Sequence, residues 1–237
     1  MLSQYNIEKI LFLDIETVPR EKNYKELSTE LKALWDKKAD NIKKNEDDEA
    51  EALYERAGIY AEFGKIICIS VGYLKGEVFR IKSFSSHDEK ILLTEFSDLL
   101  RSNYFNKRDQ LLCAHNGKEF DFPYIARRML INKIPLPSIL DTAGKKPWEV
   151  THLDTMELWK FGDYKHYTSL VLLAHLFDIP SPKDDINGSD IARVYWEEND
   201  LERIVKYCQK DVLTVAQIFL CYQGKEKIDE GNVQVVD

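Results

Sequence analysis

Residues 10–17 constrain the fold most strongly, because a run of apolar side chains there ends in two acids. Ile10 to Leu13 have the composition of a buried strand, and Asp14 and Glu16 follow directly. Alternate residues of a strand point to the same face, so both carboxylates should face the same neighbour. Two adjacent carboxylates repel each other unless a cation or a proton lies between them. Taken alone, such a pair is more typical of a solvent-exposed strand end than of a site.

The rest of the chain predicts one α/β domain with an insertion. The length of 237 residues and a hydrophobic content of 44% suit a single large domain over residues 1–223. A charged helical arm is expected at 20–62, and a polar, frayed tail at 224–237. No apolar run approaches the roughly 20 residues of a membrane span, and the first residues do not show the basic region, apolar run and small-residue cleavage site of a signal peptide. We therefore expect a cytoplasmic protein without membrane contact, and the sequence identifies no protein partner.

Hydrophobic periodicity places the remaining elements of a mixed five-stranded sheet flanked by helices. Alternating β-branched runs on either side of Gly76 predict a hairpin. Further strands are expected at 111–114 and 152–154, and amphipathic helices at 88–101, 167–177, 190–198 and 199–222. Asn199 and Glu202 have the spacing of a capping box at the start of the last helix. Pro123 suits the beginning of a helix after the 111–114 strand.

Two interpretations of the arm are open. Leu27, Leu31, Leu34 and Trp35 recur at helical spacing, and an acidic run follows at 46–51. Such a segment is either a solvated helical decoration or a flap that guides a substrate. Its departure from the acidic end of the first strand favours the flap slightly.

Three further residues could join the acid pair. Tyr207 and Asp211 lie one turn apart on the same face of the predicted last helix. Asp121 follows the 111–114 strand and an Asn-Gly turn, where an acid could equally cap a helix. Each is ordinary in isolation, but an acid pair, a later acid and a Tyr-x-x-x-Asp in this order form a much more specific pattern. Four converging carboxylates would need cations, and hard oxygen ligands select Mg²⁺ or Mn²⁺.

These segments resemble the three motifs of the DnaQ-like, or DEDD, 3′-5′ exonuclease superfamily. The motifs are Phe-Leu-Asp-Ile-Glu-Thr at 12–17, His-Asn-Gly-Lys-Glu-Phe-Asp at 115–121 and Tyr-Cys-Gln-Lys-Asp at 207–211. The second and third motifs are most similar to the proofreading exonuclease of family-B DNA polymerases. The histidine branch of the superfamily would carry His at position 206, where this chain has Lys206, so Tyr207 indicates the tyrosine type. The long arm and the lack of a polymerase palm depart from the polymerase pattern.

The resemblance implies an RNase H-like fold and a metal-dependent 3′-5′ exonuclease that releases nucleoside 5′-monophosphates from single-stranded DNA. Its catalytic residues would be Asp14, Glu16, Asp121, Tyr207 and Asp211. The four acids among them would hold two ions, Mg²⁺ or Mn²⁺, which serve both sides of an in-line displacement. Tyr207 would orient the attacking water, because a phenol with a pKa of about 10 is a poor base at neutral pH.

Substrate contacts are expected at Thr17, Asn116 and Phe120. Trp148 is one of several aromatic residues that could stack on bases, although a core position is the more typical role for each. The net charge is −8, yet residues 63–183 carry net positive charge. Lysines there could bind phosphates, although an ordinary surface position is the more typical role for each: Lys118, Lys145, Lys146 and Lys183.

Two rival functions remain open. An exoribonuclease of the same fold would use the same chemistry, because nothing in the motifs reports on a 2′-hydroxyl. A catalytically silent nucleic-acid-binding module is disfavoured by the presence of all four acids.

Overall fold

Six strands form one mixed sheet in the described part of the chain. The computed structural model describes residues 2–102, 109–163, 167–180 and 185–236; Lys183 lies outside these ranges. The strands are β1 (Ile10–Pro19), β2 (Gly64–Lys75), β3 (Val78–Ser85), β4 (Leu111–Ala114), β5 (Leu153–Asp154) and β6 (Val233–Val236). Their order is β5-β4-β1-β2-β3-β6. β2 is antiparallel to both β1 and β3, whereas the β1–β4, β4–β5 and β3–β6 pairs are parallel.

Helices cover both faces of this sheet, which confirms the α/β prediction. They are α1 (Thr29–Ile42), α2 (Ala50–Leu53), α3 (Glu89–Arg101), α4 (Asp121–Ile131), α5 (Thr155–Lys160), α6 (Leu170–Leu176), α7 (Ile191–Arg193) and α8 (Leu201–Gln223). A π-helical turn, Val194–Glu198, follows α7. Within the described ranges, no helix combines the length and apolarity that crossing a membrane requires.

Side-chain alternation along β1 separates two cores. Leu11, Leu13 and Ile15 pack with residues of α3 and α4 on one face. Ile10 and Phe12 pack with residues of α8 on the other. The rings of Phe12 and Phe219 meet edge to face, with centroids 5.8 Å apart. Such a pair contributes about 1 kcal/mol beyond the burial of its area. β1 is therefore buried on both sides, and its even-numbered residues face α8.

Gly72 on β2 lets α8 lie close against the sheet. A β-carbon at this position would be 2.4 Å from the ring of Phe79 and 2.8 Å from a methyl carbon of Val212. Real side chains do not tolerate such distances, so glycine is required here for the observed packing. α8 therefore packs close to the part of β1 that precedes the β-bulge between Glu16 and Thr17.

The start of α8 differs from the prediction by one residue. Asp200, rather than Asn199, caps the helix by accepting a hydrogen bond from the backbone N–H of Arg203. Asn199 has a φ of +54° and ends the π-helical turn, a conformation that asparagine tolerates better than most residues. The helix expected at 190–198 is accordingly divided into a 3₁₀ turn, α7 and the π-helical turn. The helix expected at 167–177 is shorter and begins after its Ser169 cap.

The tail supplies a sixth strand, so the predictions of five strands and of a frayed tail were wrong. Val233 to Val236 pair in parallel with Phe79 to Lys82 of β3. The backbone of β3 would otherwise be an unpaired edge, and three valines in four residues have high strand propensity. The short length and polar surroundings of this run concealed it in the sequence.

The arm is a folded unit with its own small core. Trp35 is fully buried, and its ring contacts Tyr54 and Phe63 with centroids 5.4 and 5.0 Å apart. The indole N–H donates to the carbonyl of Ala50 at 2.7 Å. Gly58 lies against the end of β1, where an added β-carbon would be 2.9 Å from the carbonyl carbon of Val18. The arm is thus docked on the sheet rather than merely solvated.

Candidate active site

The two acids of β1 project on the face covered by α8. Their ligand atoms and the thiol of Cys208 all lie within 4.8 Å of one another. Asp14 is partly exposed, whereas Glu16 is 7% exposed. The pairing of β1 with β2 shifts register between Glu16 and Thr17. A bulge at this point re-aims the strand directly after the acid pair, as is common beside functional sites.

α8 brings three polar groups to the same place. The thiol of Cys208 donates to the carbonyl and to a carboxylate oxygen of Asp14, both at 3.4 Å. Tyr207 and Asp211 lie one turn apart, close enough for the charge of Asp211 to raise the pKa of the Tyr207 phenol. Both of these residues are 7% exposed. The structure therefore brings Asp14, Glu16, Tyr207 and Asp211 together.

Asp121 reaches the cluster from the other helical layer. It is the first residue of α4 and only 3% exposed. Its carboxylate lies near the backbone N–H of Ile15, the residue between the two acids of β1. The start of α4 is therefore close to the centre of the sheet. All five residues predicted to be catalytic thus lie around the middle of β1, which continues past the acids to Pro19 instead of ending at them as the sequence suggested.

Burial and mutual repulsion penalise the charged forms of these acids. Burial, and then the neighbouring charge of Asp211, raise the pKa of Asp14 well above its usual value. The pKa of Glu16 is raised by burial and then by Asp14. Burial, partly opposed by backbone hydrogen bonds, raises the pKa of Asp121 to about 8. Such a cluster cannot ionise fully at neutral pH without cations.

The donor set fits hard divalent cations. Among the described residues, no lysine or arginine forms an ion pair with Asp14, Glu16 or Asp121. Carboxylate oxygens are the ligands that Mg²⁺ and Mn²⁺ prefer. Burial raises the pKa of the Cys208 thiol, so this group stays protonated and acts as a hydrogen-bond donor. The acids could therefore hold a metal without a thiolate ligand.

The three residues expected to contact substrate surround the cluster. Thr17 is partly exposed and lies near the hydroxyl of the buried Tyr124. Asn116 has a φ of +61°, and its buried side-chain oxygen has no hydrogen-bond partner within the described residues. Phe120 is partly buried against the core, with its ring centroid 5.3 Å from that of Tyr124. The expected contact of these three residues with substrate stays a prediction.

Asp154 is a supporting residue that sequence reasoning missed. It is 2% exposed, and its two carboxylate oxygens accept the backbone N–H groups of Asn116 and Lys118 at 2.9 and 3.1 Å. The same side chain caps α5 through the N–H groups of Met156 and Glu157. It therefore fixes the turn that leads into Asp121. An acid followed by Thr-Met-Glu is a helix-start pattern that could have revealed the cap, but not the contact with the turn.

A protein-family model matches residues 59–234, which is more than half of the chain. It is described as a predicted 3′-5′ exonuclease related to the exonuclease domain of PolB. The chain belongs to this family. Asp121, Tyr207 and Asp211 lie inside the matched segment, whereas the acid pair of β1 and most of the arm precede it. The family assignment confirms the relationship to the exonucleases of family-B polymerases, and the tyrosine type is consistent with it.

A solved structure has a similar fold. It is that of the family B DNA polymerase from the hyperthermophilic archaeon Pyrobaculum calidifontis, with a TM-score of 0.56 and 12% sequence identity. The match covers 90% of this chain and 24% of the polymerase chain. This chain therefore spans about a quarter of the length of that polymerase. The likeness confirms the RNase H-like fold class.

Proposed function

We propose that this protein is a metal-dependent 3′-5′ exonuclease that acts on single-stranded DNA and releases nucleoside 5′-monophosphates. The convergence of four carboxylates beside the bulge of β1 carries the proposal. Asp14 and Glu16 lie together on β1, Asp211 adds its charge from α8, and Asp121 completes the set from α4. Membership of the family supports the exonuclease activity, whereas the substrate, the metal ions and the residue roles are part of our proposal.

Each acid has a proposed role. Asp14, Glu16 and Asp211 would hold one divalent cation, and Asp14 would also contact a second that Asp121 supports through water. When bound, the two ions supply Lewis acidity to the attacking water and to the leaving 3′ oxygen. No protein nucleophile is required for this hydrolysis.

Tyr207 would orient the attacking water. Burial and the neighbouring Asp211 raise the pKa of its phenol further above its already high value. The hydroxyl therefore stays protonated at neutral pH and cannot serve as a base. It remains a hydrogen-bond donor, and it lies one turn from Asp211, beside the acids.

The test is digestion of 5′-labelled single-stranded DNA with Mg²⁺, Mn²⁺ or a chelator. Wild type should yield a ladder that shortens from the 3′ end, and a 3′-phosphate should block it. Asp14→Asn should lower the rate by at least about a thousandfold, because one ligand to both ions is lost. Asp98→Asn, which changes an exposed acid on α3, is the matched control. Full activity in chelator or in Asp14→Asn would refute the mechanism.

A matched RNA oligonucleotide tests the substrate. We expect faster hydrolysis of the DNA strand. A preference for RNA would instead assign the protein as an exoribonuclease with the same catalytic residues. Binding of either strand without metal-dependent cleavage would identify a silent binding module.

A further inference from the structure

An open groove beside β5 combines an exposed tryptophan with lysines. The groove has a volume of about 410 Å³, and its lining includes Trp148, Lys118, His152 and Asp154. Trp148 lies on the 3₁₀ turn Pro147–Glu149, and it is 77% exposed. It is the most exposed large hydrophobic side chain in the described part of the protein. A tryptophan in this position offers a flat surface on which a ligand can stack.

Positive charge surrounds this ring. The ammonium of Lys146 lies 5.3 Å from the centroid of Trp148. Lys145 is exposed beside it, and neither lysine forms an ion pair with any described residue. The ammonium of Lys118 contacts Glu157 at 2.6 Å. Lys145 and Lys146 do not line the groove, but they precede Trp148 at its edge, and both retain charge for a ligand.

The pKa of His152, at the base of the groove, reflects the same positive charge. Burial first, and then the charges of Lys118 and Lys145, lower the pKa of its imidazole to about 4. Because charge interactions weaken with distance, both ammonium groups lie near one point. Three acids oppose them, and each is engaged: Glu157 pairs with Lys118, Glu149 accepts the backbone N–H of Lys146, and Asp154 accepts the backbone N–H groups of Asn116 and Lys118. The groove therefore suits a ligand with negative charge and a flat aromatic ring.

The groove lies beside the turn that leads to Asp121 of the candidate active site. The turn containing Asn116 and Lys118 is fixed by Asp154, and Asp121 follows three residues after Lys118. Three residues of extended chain span at most about 11 Å. A polynucleotide with its 3′ end at Asp121 could reach the groove within a few nucleotides.

We propose that this groove binds single-stranded nucleic acid a few nucleotides from the cleaved end, with one base stacked on Trp148 and phosphates held by Lys145 and Lys146. The assignment depends on the proposed exonuclease function. Aromatic stacking and lysine–phosphate contacts are the usual means of holding single strands without sequence preference. Because the protein as a whole is negatively charged, the local cluster of Lys145 and Lys146 is more significant than it would be on a basic protein.

Fluorescence anisotropy of 5′-labelled oligo(dT) in EDTA tests binding without hydrolysis. Trp148→Ala should weaken binding of a 24-mer by about 5- to 100-fold, and that of a 3-mer much less, because the 3-mer is too short to reach the groove. Trp148→Phe should restore most of the affinity. Phe161→Ala, which removes another ring that is 70% exposed, is the control and should bind the 24-mer as wild type does. Equal affinity of Trp148→Ala and wild type for the 24-mer would overturn the proposal.

Salt dependence tests the lysines separately. For single strands, each lost phosphate contact lowers the slope of log affinity against log salt by about 0.7, so Lys145→Ala/Lys146→Ala should lower it by about 1.4. The matched control is Lys37→Ala/Lys38→Ala, an adjacent lysine pair on α1 of the arm. An equal change in both double variants would refute the assignment of phosphate contacts to this groove.

The two proposals fail in different ways. Hydrolysis of the 3-mer by wild type with Mn²⁺ tests the exonuclease function alone. Trp148-dependent binding of the 24-mer without any hydrolysis would refute that function and leave the groove as a binding site. Hydrolysis with no effect of Trp148→Ala on binding would refute the groove only.

Discussion

Single residues at this site are arranged at a cost to stability. Burial and repulsion raise the pKa values of Asp14, Glu16 and Asp121, so each carboxylate is held where its charged form is disfavoured. Supporting groups surround this arrangement: the thiol of Cys208 donates a hydrogen bond to Asp14, and the backbone N–H of Ile15 lies near Asp121 and lowers its pKa in part. Clustered acids with strongly perturbed pKa values are a common feature of catalytic sites.

Tyr207→Phe should reduce turnover by about a hundredfold, because one positioned hydrogen-bond donor is lost. Asp211→Ala should reduce it further, since it removes a ligand as well. Tyr222→Phe is a matched control: this tyrosine is also on α8 and 7% exposed, but its hydroxyl contacts the carbonyl of Thr155. Single-turnover rates on a labelled strand would measure each effect. A larger loss for Tyr207→Phe than for Asp211→Ala would contradict a positioning role.

Asp154→Asn should lower turnover about tenfold while changing the substrate KM little. The new amide group would face the N–H of Lys118, so one of the two bonds that fix the turn before Asp121 is lost. The unpaired donor should also reduce the free energy of unfolding by about 1–3 kcal/mol. Asp88→Asn changes the cap of α3 in the same way without touching this turn, and it should retain full turnover. Equal turnover in both variants would exclude a positioning role for Asp154.

At the scale of elements, the arm and α8 show how the site is held. α8 packs across the sheet on the face of Asp14, with Gly72 permitting the close approach. The arm carries a separate core around Trp35 and contacts the end of β1 through Gly58. The hydroxyl of Tyr124 on α4 donates to the carbonyl of Gly58 at 2.7 Å. The arm is therefore connected to the strand and to the helix that carry the acids.

Trp35→Ala should unfold the arm locally. Removing a fully buried tryptophan costs about 3–5 kcal/mol, which exceeds what a small satellite core can lose. Leu34→Ala on the same helix is the control, because Leu34 is 54% exposed. Hydrogen exchange should show lost protection over α1 and α2 in Trp35→Ala, with α8 still protected. Loss of protection throughout the molecule would mean that the arm and the sheet unfold as one unit.

In the molecule as a whole, two helical layers converge on one end of a mixed sheet. α4 contributes Asp121 from one side and α8 contributes Tyr207 and Asp211 from the other, while β1 lies between them. The carboxylates repel one another across this junction. Cation binding should therefore stabilise the entire fold as well as supply the chemistry.

Mn²⁺ at about a hundred times its dissociation constant should stabilise the protein by about 2.7 kcal/mol and raise the Tm by about 5–10 °C. The effect should grow as pH rises. In EDTA, an acid whose pKa is raised in the folded state stabilises the fold at a pH below its unfolded pKa, which is near 4. That stability is lost as the pH rises toward the folded pKa, which is about 8 for Asp121.

Thermal melts between pH 5 and 8, with Mn²⁺ and with EDTA, measure this dependence. Asp121→Asn should flatten the pH dependence in EDTA, because it removes one of the titrating groups. A shift in Tm with Mn²⁺ that is the same at pH 5 and pH 8 would contradict cation binding by these acids.

The sequence by itself determined the elements whose patterns are local. Alternation in residues 10–17 places Asp14 and Glu16 on one face, and helical spacing places Tyr207 beside Asp211. The hairpin of β2 and β3, and the strand before Asp121, were equally predictable from β-branched runs and turn residues. The order of the motifs then indicated the superfamily.

Only the tertiary structure decided the features that depend on distant partners. β6 exists because the edge of β3 is available to pair with Val233 to Val236, which no local pattern shows. Asp154 supports the site because a turn 38 residues away presents N–H groups to its carboxylate. Asp14 and Glu16 lie beside Asp211 because Gly72 lets α8 approach the sheet. A local pattern fixes the face on which a side chain projects, whereas packing between elements fixes what that side chain meets.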